Sequence, residues 1–402
     1  MKFLVRLYFM IRAFGAIRVL RFLPKKSPMV FKGEGSSLHL CNEISMLGFR
    51  KVLLVTDNFL AESGLLNEMQ ASLRAAGVEY IVYDGVLPNP DFDAVIEGDK
   101  AYGDNGCDAI VSVGGGSVLD AAKMMALLHY NRLSLDKFEG VSKSNKPAVP
   151  HFAVPTTAGT GAEITPVAVI SDPATHRKVL ITDGKMLPDY IALDPVIMQG
   201  LPPSITAATG IDALTHAVEA YLSRGATEKT DREARLAVNL IFRYLLRAYR
   251  NGDDMEARDA MATASFYAGT SFGVAGVGYV HAIAHQLGRL FGTPHGNANA
   301  MVFPEVLAAY GDCVFSRLAE LARLVGVGAA DDNDKILANK FVAAIVEMRS
   351  TMDMPLQIEN FTPQKQDDVV RSAGAEAGNM YPVPRYLDES DLQSIVNGLV
   401  AV

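Results

Sequence analysis

The chain reads as two domains, a doubly wound α/β domain built on a mostly parallel sheet followed by an all-helical one, and three observations predict this. With 402 residues and 49% apolar side chains it can bury a substantial core, and its length suits about two domains of ordinary size. From Val30 to about Pro195, short β-rich runs alternate with helical stretches, the pattern of parallel strands joined by helices packed on the sheet. After Asp194-Pro195 the helical pattern takes over and clear strands stop. The expected division is a basic and apolar extension over residues 1–28, an α/β domain over 29–197 and a helical domain over 198–402.

The extension carries its own chemistry. Residues 1–32 hold eight basic side chains and no acidic one, so a total of -8 leaves -16 on the remaining 370 residues. Such an acidic body repels nucleic acid, which removes a sequence-reading role. Arginines interrupt the first 23 residues too often for a membrane span or a signal peptide. A helix ending before Pro24 is expected there. Its cationic and apolar content suits peripheral contact with anionic lipid, and packing on a protein surface suits it equally, because the charges fall all round the helix. Three widely spaced cysteines, Cys41, Cys107 and Cys313, speak against a disulfide framework or a thiolate zinc site and fit a reducing cytoplasm.

In the first domain, Lys51 to Thr56 reads as a buried strand and Leu60 to Ala76 as one helix stopping at Gly77. Glu79 to Tyr83, Ala109 to Val113 and His151 to Pro155 continue as strands. The segment Ser112-Val-Gly-Gly-Gly-Ser-Val-Leu-Asp120 then places three glycines and a serine between a strand and a helix, where backbone N–H groups can approach a phosphate. It is neither the Gly-x-Gly-x-x-Gly fingerprint nor a P-loop, so a plain tight turn competes with nucleotide binding. Asp57 ends the preceding core strand, where a carboxylate can accept from ribose hydroxyls and repel a 2′-phosphate, favouring NAD over NADP. By itself it reads more simply as a helix N-cap. Pro155-Thr-Thr-Ala-Gly-Thr-Gly-Ala162 is a second hydroxyl-rich loop at a strand end.

In the second domain, Ser204 to Leu222, Asp231 to Arg250, Met255 to Phe272 and Gly278 to Leu290 read as helices. The first carries Asp212 and His216 four residues apart, on one helix face. His281 and His285 repeat that spacing, and His295 follows a Pro turn. Three histidines within fifteen residues compare with roughly 0.3 expected from eight in the whole chain, too many for chance under this composition. One carboxylate and three imidazoles complete a divalent-metal shell with room for a substrate oxygen, and Fe(II) and Zn(II) both suit such donors. The bland alternative is a set of satisfied core histidines.

At this point the residues resemble the iron-containing, group III alcohol dehydrogenases, over about residues 30–400. The motifs that carry the likeness are Pro88-Asn-Pro90, Gly114-Gly-Gly-Ser117 with Asp120, Pro155-Thr-Thr-Ala-Gly-Thr160, Gly210-Ile-Asp-Ala-Leu-Thr-His216 and His281-x3-His285-x9-His295-Gly296. The resemblance implies a Rossmann-like domain, a helical metal-binding domain, an architecture shared with dehydroquinate synthase, and NAD(H) in a cleft between the two. It also implies at least a homodimer. Position by position, it marks Asp57, Asn89, Gly115, Gly116, Ser117, Thr156, Thr157, Thr160, Val169 and Lys178 as dinucleotide contacts, with Asp120 near the phosphate turn. Asp212, His216, His281 and His295 match the metal ligands, leaving His285 beside the ion to relay a proton. Val167, Phe272 and Val277 match the substrate wall and are apolar here, which suits a medium-chain or bulky aliphatic alcohol or aldehyde.

Gln286 stands where many family members have proline, and a local change in that helix is expected. Two other functions compete: a dehydroquinate synthase-type lyase that uses NAD transiently, which needs a cationic pocket, and a non-catalytic docking protein that keeps the fold.

Overall fold

The computed structural model describes residues 26–175, 177–358 and 361–399. The helix expected before Pro24 lies outside the described residues. Two compact units divide between Gly200 and Leu201.

The first unit opens with β1 (Met29–Lys32) and α1 (Ser36–Met46), followed by β2 (Lys51–Val55). The single helix expected over Leu60 to Ala76 is instead two, α2 (Asn58–Glu62) and α3 (Asn67–Ala75). Gly64, at a left-handed φ of 83°, turns the chain between them. Next come β3 (Glu79–Tyr83), α4 (Phe92–Asp104), β4 (Ala109–Gly114), α5 (Gly116–Asn131), β5 (Gly140–Val141) and β6 (His151–Pro155). The unit closes with β7 (Val167–Asp172), β8 (Arg177–Thr182) and β9 (Tyr190–Leu193).

Six of these strands form one parallel sheet in the order β1-β9-β6-β4-β2-β3. β4 and β6 are buried along their whole length, as central strands covered on both faces must be. Successive side chains serve opposite faces. On one face Leu53, Val55 and Ile110 pack with Val118, Ala121, Ala122 and Met125 of α5. On the other, Val52, Leu54, Val111 and Phe152 pack with Leu40, Ile44, Met69 and Leu73 of α1 and α3. A small second sheet, β5-β8-β7, was not expected; in it β7 and β8 run antiparallel.

In the second unit, every named element is helical among the described residues. These are α6 (Pro203–Leu222), α7 (Glu228–Arg250), α8 (Met255–Ala275), α9 (Tyr279–Phe291), α10 (His295–Tyr310), α11 (Phe315–Leu324), α12 (Asp334–Thr351), α13 (Pro363–Met380) and α14 (Glu389–Asn397). α6 is buried almost all round and packs against α7, α8 and α10, so it is the axis of the unit. α9 packs against α10 and α13. Among the described residues, no helix is long and apolar enough to cross a membrane.

Candidate functional site

The chain steps from β2 out to β3 and then crosses back to β4 on the other side of β2. The direction of winding therefore reverses between β2 and β4, and the crevice at the carboxyl ends of such strands is where open α/β sheets receive ligands. Asp57 follows β2, the glycine turn follows β4, and Thr156 follows the adjacent β6. Three sequence-predicted segments thus line one edge of one sheet.

Within that edge the glycine turn is tightly packed. A Cβ on Gly116 would stand 2.8 Å from the Thr160 side chain, so only glycine lets the first turn of α5 lie against the threonine loop. Gly115 caps α5 with extended backbone and no side-chain hydrogen bond. Asp57 is the N-cap of α2, its Oδ1 accepting from the Leu60 amide at 2.9 Å. The plain capping reading is therefore satisfied, and the carboxylate keeps a second oxygen for another donor. Asn89, at a φ of 58°, accepts a hydrogen bond at 3.0 Å from Lys178 Nζ, which joins the Pro88–Pro90 turn to β8. Asp120 differs from a free ligand: Oδ1 lies 2.9 Å from Lys123 Nζ and Oδ2 accepts from the Val169 amide at 3.0 Å.

In the helical unit, α6 presents Asp212 and His216, and α9 presents His281. One ligand atom from each lies within 4.8 Å of the other two, and all three residues are buried. His295 opens α10 and brings Nε2 to 3.4 Å from Asp212 Oδ1. That approach depends on Gly296, since a Cβ there would sit 2.1 Å from the Ala208 carbonyl oxygen of α6. Asn299, one turn along α10, donates to Asp212 Oδ1 at 2.7 Å, while its own Oδ1 is buried without a partner. The ring of Phe272 stacks on His216 at 4.0 Å between centroids. Val277 is half-buried in the connection from α8 to α9, and Val167 is half-buried at the start of β7.

Electrostatics fit a cation. Asp212 and Glu219 are 2% and 4% exposed, so two carboxylates are taken out of water beside imidazoles. Burial works against the Asp212 charge, yet His216, His295 and His281 hold its carboxyl well below the ordinary range. Burial likewise disfavours a charged His281, but Asp212 and Glu219 hold its pKa up at about 9. Glu219 accepts from His281 Nδ1 at 2.6 Å and from the amides of Gly278 and Val280 at 2.9 and 2.8 Å. His281 therefore turns Nε2 toward Asp212, 3.6 Å away. Three ring nitrogens and one carboxylate oxygen, with an orphaned amide oxygen close by, make a donor set that suits Fe(II) or Zn(II).

His285 sits beside this group, its ring stacked on His295 at 5.4 Å. Its Nδ1 is 2.6 Å from Glu376 Oε1 on α13, a carboxylate that also accepts from Gln286 Nε2 at 2.9 Å and Tyr381 OH at 2.7 Å. α9 runs unbroken through Gln286, so the departure from proline shows as this hydrogen bond and not as a distortion. Sequence reasoning missed Glu219, Asn299 and Glu376 as supports of the histidines. Asn299 had a signal, its four-residue spacing from His295; Glu376, 91 residues from its histidine, had none.

Comparisons with known proteins identify the family. Residues 27–195 match the family described as iron-containing alcohol dehydrogenase, and residues 206–400 match the Fe-containing alcohol dehydrogenase family, C-terminal. Alcohol dehydrogenase 4 of Schizosaccharomyces pombe is 46% identical over 68% of this chain and 65% of its own length. The NAD-dependent methanol dehydrogenase of Bacillus methanolicus is 37% identical over 83% of this chain and 87% of its own. A crystal structure of 1,3-propanediol oxidoreductase superposes with a TM-score of 0.89 at 36% identity, covering 93% of this chain and 98% of that one. The chain belongs to the iron-containing alcohol dehydrogenase family.

Proposed function

We propose that this chain is an NAD-dependent, divalent-metal-dependent alcohol dehydrogenase and aldehyde reductase acting on medium-chain or bulky aliphatic substrates. The observation that carries the reading is the convergence of Asp212, His216 and His281 in one buried group, with His295 Nε2 3.4 Å from the same carboxylate oxygen. These four would hold the ion, Fe(II) or alternatively Zn(II). When bound, the metal supplies Lewis acidity to an alcohol or carbonyl oxygen and NAD(H) supplies the hydride acceptor or donor.

The chain's own residues do the rest. Glu219 fixes the ring of His281, and Asn299 orients the Asp212 carboxylate. Glu376 accepts the Nδ1 proton of His285, which leaves Nε2 to take up or deliver a proton. Phe272 and Val277 offer the substrate apolar surface on the metal-binding unit, and Val167 is the corresponding apolar residue of the cofactor unit. On the sheet edge, Gly115, Gly116 and Ser117 present the N-terminus of α5 to the pyrophosphate. Thr156, Thr157 and Thr160 offer hydroxyls beside it, Val169 stands in β7, and Asn89 and Lys178 form a polar pair toward ribose or phosphate. The second oxygen of Asp57 is the group that would meet the adenosine ribose and disfavour NADP.

The test is NADH oxidation by protein reloaded anaerobically with Fe(II) or Zn(II), across aldehydes from acetaldehyde to decanal. Metal-dependent rates that climb with chain length are expected. No turnover of any aldehyde with either metal, by protein that binds NADH, would refute the reading. A cytoplasmic homodimer or larger homo-oligomer belongs to the same proposal, as does contact of residues 1–23 with either anionic lipid or a protein surface. Sedimentation with anionic vesicles that deletion of those residues leaves intact, or that never occurs, would remove the lipid contact.

A further inference from the structure

The cofactor unit contains a lysine with no exposure to solvent, Lys123 on α5. Its Nζ donates to the carbonyl oxygens of Ala162 at 2.8 Å, Thr165 at 3.4 Å and Val167, and lies 3.5 Å from Thr165 Oγ1. It also lies 2.9 Å from Asp120 Oδ1, one helical turn back. Asp120 Oδ2 in turn accepts from the Val169 amide. Burying an ammonium is costly, and Lys123 persists there because carbonyl oxygens and a half-buried carboxylate receive it.

The pair ties three things together: the helix that starts at the glycine turn, the loop that follows Thr160, and the first residues of β7. Its two ends hold backbone at Ala162, Thr165, Val167 and Val169, while the half-buried side chains of Val167 and Val169 share one face of the strand. Each Asp120 oxygen already has a partner within this chain, so the carboxylate is held in one orientation. From this arrangement we infer that Lys123 and Asp120 are positioning residues, a clamp centred on a buried lysine that sets the threonine loop and β7 against the glycine turn in the shape that receives NAD. The inference rests on the NAD reading above.

Lys123→Met removes the cation and leaves three carbonyls and a carboxylate without their donor. Two measurements test it: NADH titration by fluorescence and peptide-resolved hydrogen exchange of the metal-loaded, NADH-free protein. The expected result is NADH affinity weaker by about tenfold or more, with faster exchange confined to residues 161–169 and the metal content of the helical unit unchanged. A lower melting temperature and faster exchange across the whole sheet, with the affinity of folded protein spared, is the signature of a simple loss of stability and would overturn the clamp. Affinity and loop exchange both equal to wild type would overturn the clamp. If Lys123→Met does not fold, Asp120→Asn preserves shape, and its NADH-free exchange over residues 161–169 decides: faster exchange supports the clamp, and an unchanged rate overturns it. Wild-type protein that bound no NADH would overturn the NAD reading itself, a failure distinct from equal affinities in wild type and variant.

Discussion

Glu163 lies three residues beyond Thr160 in the threonine loop and is 2% exposed. Burial pushes its carboxyl up from the ordinary 4.5 to about 7, against the opposing effects of a backbone hydrogen bond and Lys123. The folded chain thus keeps a proton on Glu163 at pH values where the unfolded chain has released it. Between about pH 4.5 and pH 7 the unfolded state binds fewer protons than the native state, so stability falls as pH rises through this window and levels off above it. At 1.36 kcal/mol for each pH unit, the full loss is roughly 3 kcal/mol. Glu163→Gln keeps the volume and cannot ionise. Its unfolding free energy should match wild type near about pH 5 and exceed it by up to roughly 3 kcal/mol near about pH 8. Urea denaturation of both proteins at the two pH values, followed by circular dichroism, measures the difference. A gap between variant and wild type that does not widen with pH would refute the reasoning, as would a variant less stable than wild type at the higher value.

Three further outcomes follow from the site. His281→Ala should lose most of the bound metal and the activity while NADH still binds, and His285→Ala should keep the metal but turn over slowly; equal metal loss in the two, by elemental analysis, would overturn the division of roles. Glu219→Gln leaves His281 in place but takes the charge from its Nδ1 partner, and metal affinity should fall by about tenfold to a hundredfold, read by competition with a chelator; unchanged affinity would make Glu219 a packing residue. Asp57→Gly should narrow the preference for NAD over NADP and cost only a few tenths of a kcal/mol in stability, glycine being a tolerated cap; an unchanged cofactor ratio would leave Asp57 as a cap alone.

The large sheet was legible where local composition speaks for itself. β2, β3, β4 and β6 are short apolar runs bounded by turns, and buried parallel strands look like that in any context. The single helix over Leu60 to Ala76 failed because the helical pattern continues across Ser63-Gly64 while the backbone at Gly64 does not. β7 and β8 escaped notice for a different reason: they form a small antiparallel pair outside the main sheet, with exposed charged residues at one end.

A similar divide runs through the site, and it separates the residues proposed to meet the metal or move a proton from the residues that hold them in place. Asp212 and His216, and His281 and His285, are visible because a helix repeats a face every three to four residues, so two residues that serve one site from one helix must be close in sequence. The partner that aims each ring need obey no such rule. Glu219 reaches His281 from 62 residues away and Glu376 reaches His285 from 91, because α6 and α13 each pack against the histidine's own surroundings only once the bundle has formed. Lys123 was hidden in the same way: in the sequence it is one more lysine on a helix, and only the packing of α5 under the threonine loop leaves it no water and surrounds it with carbonyl oxygens. A buried charge is informative for this reason. Three carbonyls and Asp120 have to be in place before Lys123 can leave water, so the conformation of the loop after Thr160 is coupled to the ion pair beneath it, and disturbing either should be felt in the other.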